Sequence, residues 1–180
     1  MTSSRLSCLA SLASLASLAS LAVALLPLTA FAASLPTTPY LPLEMAQRAA
    51  NAAMTHCLDV GERVSVAVVE RGGATKVLIK ADGSGPHTVN SSTGKAFAAA
   101  SLGRETLAFA EFLKEHREFD GLRDMDDRMV ILGGGLPIRI EGALIGGIGV
   151  GGAPSAAIDD ACARAGVEAI GGESPSPSTP

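Results

Sequence analysis

The chain has no tryptophan and a single tyrosine among its 180 residues, and aromatic residues make up only 3% of it. Its 14 lysines and arginines are outnumbered by 18 aspartates and glutamates, and they form no basic stripe. Nucleic-acid binding draws on positive charge for the phosphates and on aromatic rings for the bases. The composition therefore argues against a nucleic-acid partner.

Cysteine and histidine are also scarce, with three of each. No CxxC pair occurs, and no Cys/His spacing is typical of a metal site. The scattered histidines and the serines do not define a Ser-His-Asp or Cys-His arrangement. A hydrolytic enzyme therefore has no support in the sequence.

Long hydrophobic runs are absent except at the N-terminus, where an apolar stretch covers Leu6–Leu28. Arg5 precedes this stretch and is the only charge before Glu44. A small-x-small cleavage motif ends at Ala32, so we expect a Sec-type signal peptide cut after Ala32 or Ala33. The alternative is an uncleaved membrane anchor. Cleavage predicts a periplasmic or secreted protein that has no membrane partner.

Two cysteines, Cys57 and Cys162, remain after cleavage, and each falls on a predicted helix. In an oxidising compartment the two can form a disulfide if their Cα atoms come within about 7 Å. Two buried thiols that do not pair are the alternative. The sequence leaves both open.

Hydrophobic periodicity and turn residues predict one α+β domain, with an antiparallel sheet and helices against it. The predicted helices cover 43–58, 89–102, 105–115 and 155–170, and the strands cover 64–69, 75–81, 137–141 and 143–150. The strand at 64–69 is continuously apolar, which is typical of a central strand. A further short strand is predicted at 129–132, after a charged loop or irregular helix at 116–128. The domain boundaries are a signal peptide over 1–33, a leader over 34–42, the domain over 43–171 and a disordered tail over 172–180.

A glycine-rich segment, Gly133–Pro154, contains the second predicted hairpin, with Gly142 in its turn. Part of it, Gly147–Gly152, matches the GxGxxG pattern of dinucleotide-binding loops. That pattern normally opens a βαβ unit, whereas here the strand returns from a hairpin and the following helix is the last. We therefore expect these glycines to permit close packing rather than to bind a nucleotide. Pro154 is expected in the first turn of the last helix.

Histidines and carboxylates are the residues able to bind a metal. His56 lies beside the apolar stripe of the first helix, His87 lies at the start of the second, and His116 falls in a charged segment. A neutral imidazole is a good ligand for haem iron. Glu111 and Glu115 are spaced to share a cation, although the interleaved basic residues favour a solvated face of ion pairs.

From about residue 41 to 171 the chain resembles the GlcG/HbpS-like family, which is described as haem-binding or haem-degrading. Leu43-Glu44-Met45-Ala46 resembles the opening helix of the family, and Val64–Val69 resembles its first strand. The most specific likeness is the closing signature, made of Gly134-Gly135, Pro137-Ile138, Gly142, Ile145-Gly146, Ile148-Gly149-Val150, Gly152-Ala153, Asp159 and Cys162-Ala163.

The resemblance implies a profilin-like fold, a homo-oligomer, and haem or a related tetrapyrrole bound in a helix-lined or intersubunit groove, with iron as a further group. Thr106 matches the family's threonine after the central helix, and His56 lies where a first-helix histidine would sit. Either would ligate or face the iron, with His87 as the alternative. Lys95 and Arg104 are the expected partners of the propionates.

We therefore expect an exported haem-binding protein that acts in sequestration, sensing or haem breakdown. The alternative is a non-catalytic module that binds another small metabolite or a partner protein of an oxidative catabolic system. No set of residues demands catalysis, so a binding protein is favoured over a haem-degrading enzyme.

Overall fold

The structure, a computed structural model, describes residues 35–173. Four α-helices, one 3₁₀ helix and four strands lie in this range. In chain order they are α1 (Leu43–Asp59), β1 (Ser65–Glu70), β2 (Thr75–Lys80), α2 (His87–Leu102), α3 (Thr106–Glu115), the 3₁₀ helix (Arg117–Asp124), β3 (Gly135–Ile140), β4 (Ala143–Gly151) and α4 (Ala156–Glu168).

The strands form one antiparallel sheet in the order β2-β1-β4-β3. β1 and β2 form one hairpin, and β3 and β4 form the other. The β3–β4 turn places Glu141 at φ 49° and Gly142 at φ 76°. Two consecutive positive φ angles are typical of the turn that matches the twist of a hairpin. The predicted α+β fold, with a central β1 and helices flanking an antiparallel sheet, is confirmed.

The helices lie on opposite faces of this sheet. On β1, Val66 and Val68 are buried in the large core with α1 and α4, whereas Ala67 and Val69 are buried against α2. This alternation follows from the two-residue period of a strand. Only small side chains separate β1 from α2, since Ala67 meets Ala96 and Ala100 of the helix within one small cluster.

The glycines of β4 follow the same two-residue period. Ile148 and Val150 point to the large core. Gly147 and Gly149 point to α2, where a Cβ atom would overlap backbone carbonyl oxygens of Ala96 and Ser92. The glycines therefore permit close packing of a helix on the sheet, as the sequence predicted.

A disulfide joins Cys57 of α1 to Cys162 of α4, with 5.5 Å between the Cα atoms. Both cysteines are fully buried in the large core. Of the two alternatives that the sequence left open, the structure shows the disulfide. It fastens together the two helices that cover one face of the sheet.

The ends of the predicted domain have contacts of their own. Leu41, in the predicted leader, is fully buried in the core. Gly172 and Glu173 begin the predicted tail, and the Glu173 amide donates a hydrogen bond to Arg139 O of β3 at 2.9 Å. The predicted signal peptide and the rest of the tail lie outside the described residues. Between residues 35 and 173 no helix is both long and apolar enough to cross a membrane.

Two local predictions were wrong. Residues 129–132 form no strand, because this segment crosses α2, where Val130 N donates to Gly94 O at 3.2 Å. Pro154 lies before the helix rather than in its first turn, because Ser155 is the N-cap residue of α4. The Ser155 hydroxyl accepts a hydrogen bond from Ile158 N at 3.3 Å, as N-cap serines typically do.

Gly149→Ala is expected to lower the free energy of unfolding by about 2 kcal/mol or more, because its Cβ would overlap the α2 backbone. Gly121→Ala is the matched control, since nothing lies within 4 Å of a Cβ at that position. Urea unfolding followed by circular dichroism measures both. Equal stabilities for the two variants would contradict the packing described here.

Replacing both cysteines, as Cys57→Ala/Cys162→Ala, is expected to lower the free energy of unfolding by about 3–5 kcal/mol, because the disulfide closes a long loop. The two cysteines are 105 positions apart in the chain. Unfolding with and without a reductant supplies the control. The reductant should lower the free energy of unfolding of the parent protein and leave that of the double variant unchanged. If the reductant does not change the stability of the parent protein, the disulfide does not stabilise the fold.

Candidate functional site

Three polar residues of α2, His87, Ser91 and Lys95, lie one helical turn apart on the same side of the helix. They line one wall of a solvent-open cleft with a volume of about 330 Å³. The other lining residues come from the segment before β3, from the link between β4 and α4, and from the start of α4. They are Leu132, Gly133, Gly152, Ala153, Pro154, Ser155, Ala156 and Asp159.

His87 is at the rim of the cleft and is exposed. Its ring folds back over Gly85, where a Cβ atom would come within 2.8 Å of Nδ1. The imidazole makes no hydrogen bond or ion pair with another residue of the range 35–173. A ligand would therefore displace no partner of the imidazole within this range.

The floor of the cleft holds a buried ion pair. Lys95 Nζ lies 2.7 Å from a carboxylate oxygen of Asp159, and each side chain is only 5% exposed. Burial raises the pKa of Asp159, and this effect outweighs the opposing attraction of Lys95 and the hydrogen bonds from the Ala153 and Gly152 amides. The ammonium predicted to bind a propionate is thus engaged by a carboxylate of its own chain.

Two helices begin beside the cleft. α2 starts at His87 and α4 starts at Ala156, and both residues line the cleft. The first amide groups of a helix lack intrahelical acceptors and carry partial positive charge. The site therefore combines an accessible imidazole, small apolar walls and two helix ends that favour a negatively charged group.

Thr106 is not in the cleft, although it supports one wall. The side chain is buried, and its hydroxyl donates to Leu132 O at 2.5 Å and accepts from Gly135 N at 2.9 Å. These bonds hold the segment that leads into β3. Both the hydrogen and one lone pair of the hydroxyl are used within the protein.

The other expected haem contacts lie apart from the cleft. His56 is exposed on the last turn of α1 and does not line it. The Arg104 guanidinium stacks on Phe109 and Phe112, 5.4 and 5.6 Å from the ring centroids. Of the five residues expected to contact haem, the structure brings together His87 and Lys95.

The carboxylates predicted as a weak metal site are exposed. Glu111 pairs with Lys114 at 2.6 Å, and Glu115 is exposed at the end of α3. His116 packs against Phe112, with 4.5 Å between the ring centroids. Within the part of the chain that the structure describes, no group of three or more His, Cys, Asp or Glu side chains could hold a metal ion.

Sequence reasoning missed Ser91, Ser155 and the pairing of Lys95 with Asp159. The spacing of His87, Ser91 and Lys95 was a usable signal, since every fourth residue shares a helix face. The pairing had no such signal. Sixty-four positions separate Lys95 from Asp159, and only the packing of helices around the sheet brings them together.

Comparison with known proteins assigns the chain to a family. A family model described as haem-degrading protein HbpS-like matches residues 41–168. A double mutant of Streptomyces reticuli HbpS has a similar crystal structure, with 39% identity and a TM-score of 0.71, over 79% of this chain and 94% of that chain.

Two other relatives are more distant. A 15.0 kDa protein of Citrobacter freundii, from the region between dhaT and dhaS, is 30% identical over 113 residues, which are 62% of this chain and 80% of that protein. The structure of a PduOC–haem complex shares the fold at 22% identity and a TM-score of 0.70, over 75% of this chain and 98% of that chain. The match over residues 41–168 shows that the chain belongs to the HbpS-like family of haem-degrading proteins.

Proposed function

We propose that the protein binds haem, or a related tetrapyrrole, in the cleft between α2 and α4, with His87 as the iron ligand. The observation that carries this proposal is the accessible His87 imidazole at the rim of a cleft with small apolar walls. Family membership supports the ligand class. PduOC, which has the same fold, was solved as a haem complex and supports it further.

The residues of the cleft fit haem chemically. A neutral imidazole nitrogen binds haem iron, and His87 is exposed and makes no hydrogen bond within residues 35–173. Leu132, Ala153 and Pro154 offer apolar surface to the face of a macrocycle. The N-terminal ends of α2 and α4 would stabilise the negative charge of propionates.

The volume of the cleft suits one edge of a macrocycle. Pockets that enclose a whole small molecule hold about 300–1,000 Å³, and this one is at the lower limit. The remaining edge would lie at the protein surface, where a second copy of the chain would cover it. This is consistent with the homo-oligomer that the family resemblance implies.

We further propose that the protein is exported and sequesters haem outside the cytoplasm. The apolar N-terminal run supports a signal peptide. The Cys57–Cys162 disulfide supports an oxidising compartment, because such bonds are rare in the cytosol. Haem would supply the colour and redox chemistry of the iron, while His87 would hold it and the cleft would offer it an apolar wall.

Haemin titration followed at the Soret band tests the proposed function. The parent protein should shift the Soret band in a saturable way, and His87→Ala should lose the shift or weaken binding about tenfold or more, because the ligand is gone. His116→Ala is the control, since that imidazole packs against Phe112 away from the cleft.

The outcomes separate the parts of the proposal. A parent protein that shows no Soret shift would contradict haem binding itself. A shift that His56→Ala abolishes and His87→Ala leaves intact would keep haem binding but move the site to the end of α1.

Thr106→Val is expected to lower the free energy of unfolding by about 1–3 kcal/mol, because it removes the hydroxyl that joins Leu132 to Gly135. Thr106→Ser keeps the hydroxyl and should stay close to the parent protein. Both variants should give the parent's Soret position with haemin. A Soret band that changes in Thr106→Val, with stability unchanged, would identify the hydroxyl as the ligand instead.

A further inference from the structure

The Lys95–Asp159 ion pair joins the two layers of helices around the end of the sheet. Lys95 belongs to α2, on one face, and Asp159 belongs to α4, on the other face. Their charged atoms are 2.7 Å apart. Both residues line the cleft, so the pair lies where the two walls meet.

The remaining bonds of the pair fix the backbone that forms the second wall. Lys95 Nζ also donates to Val150 O, at the end of β4, at 2.9 Å. The second carboxylate oxygen of Asp159 accepts from Ala153 N at 3.1 Å. Through these contacts the ion pair links α2 to the end of β4, to the segment that follows β4 and to the start of α4.

The surroundings pack closely around the pair. Gly134 covers it, and a Cβ atom there would lie 2.7 Å from Asp159 Cβ and 3.2 Å from Lys95 Nζ. A buried ion pair is a poor source of stability, because removing two charges from water offsets their attraction. The pair instead fixes the position of the cleft wall, since each charged group binds a backbone group of that wall.

We propose that the Lys95–Asp159 pair is the positioning element that sets the second wall of the cleft, and through it the affinity for the bound tetrapyrrole. The statement about affinity rests on the proposed haem binding, whereas the positioning of the wall does not. Neither residue ligates the iron in this account. They act through Ala153, the Val150 carbonyl and the start of α4.

Asp159→Asn tests this role with little change in side-chain shape, because it removes the charge that holds Lys95. Hydrogen–deuterium exchange of the unliganded full chain should become faster at residues 152–158 and stay unchanged in β1. Haemin should bind about tenfold or more weakly, at a temperature where circular dichroism shows the variant folded. The Soret position at saturation should match the parent protein, because the ligand histidine is intact.

Glu105→Gln is the matched control. Glu105 pairs with Arg164 of α4 at 3.2 Å, its side chain is 13% exposed, and neither residue lines the cleft. This variant removes one carboxylate charge from another largely buried contact of α4. It should keep exchange at residues 152–158 and haemin affinity within about twofold of the parent, since a change of that size is under 0.5 kcal/mol.

A second variant covers the case in which Asp159→Asn fails to fold. Lys95→Met/Asp159→Asn removes both charges, and neutral replacement of a buried pair is usually tolerated. It should show the same faster exchange and weaker haemin binding.

Five results bear on the proposal. Faster exchange confined to residues 152–158 together with weaker haemin binding would support it. Unchanged exchange at residues 152–158 would overturn it, and so would faster exchange there with unchanged haemin affinity. Exchange that is faster than in the parent throughout the chain would also overturn it, because the pair would then have a merely structural role. If the parent protein binds no haemin, the proposed function fails, and exchange alone decides whether the pair positions the wall.

Discussion

The close approach of α2 to β4 is the constraint on which the rest of the structure depends. Gly147 and Gly149 turn toward the helix, and a side chain at either position would collide with its backbone. The residue that follows each glycine along the strand, Ile148 or Val150, turns the other way and fills the large core. β4 therefore carries large side chains on the face toward α1 and α4, and these two glycines leave no side chain on the face toward α2.

The contact between α2 and β4 also determines where the polar residues of the cleft lie. Because α2 lies directly on β4, its stripe of His87, Ser91 and Lys95 ends up beside the point where β4 leaves the sheet. The chain then turns into α4 on the opposite face, so Asp159 can meet Lys95 past the end of the strand. The cleft is therefore a consequence of how the last strand passes from one layer of helices to the other.

Much of the fold could be predicted from local pattern, whereas much of the site could not. The hairpin context correctly predicted that the glycines of Gly147–Gly152 permit close packing, and the sequence pattern located all four helices. The segment 129–132 was predicted as a strand, yet Val130 of this segment bonds to Gly94 of α2, a contact that no local pattern shows. Thr106 matched a family position, but its hydroxyl is engaged by Leu132 and Gly135 through contacts more than 25 positions away. Residue type could identify the candidates, but only tertiary packing decides which side chains stay free.

Paramagnetic broadening of backbone amide signals by bound ferric haem tests most directly whether the cleft between α2 and α4 is the binding site. Iron broadens the nearby signals in a two-dimensional NMR spectrum, so the pattern locates the metal without any substitution. Binding in the cleft predicts selective loss of signals at residues 85–95 and 152–159, with α1 unaffected. Broadening centred on residues 52–60, around His56, with the cleft signals intact would contradict it.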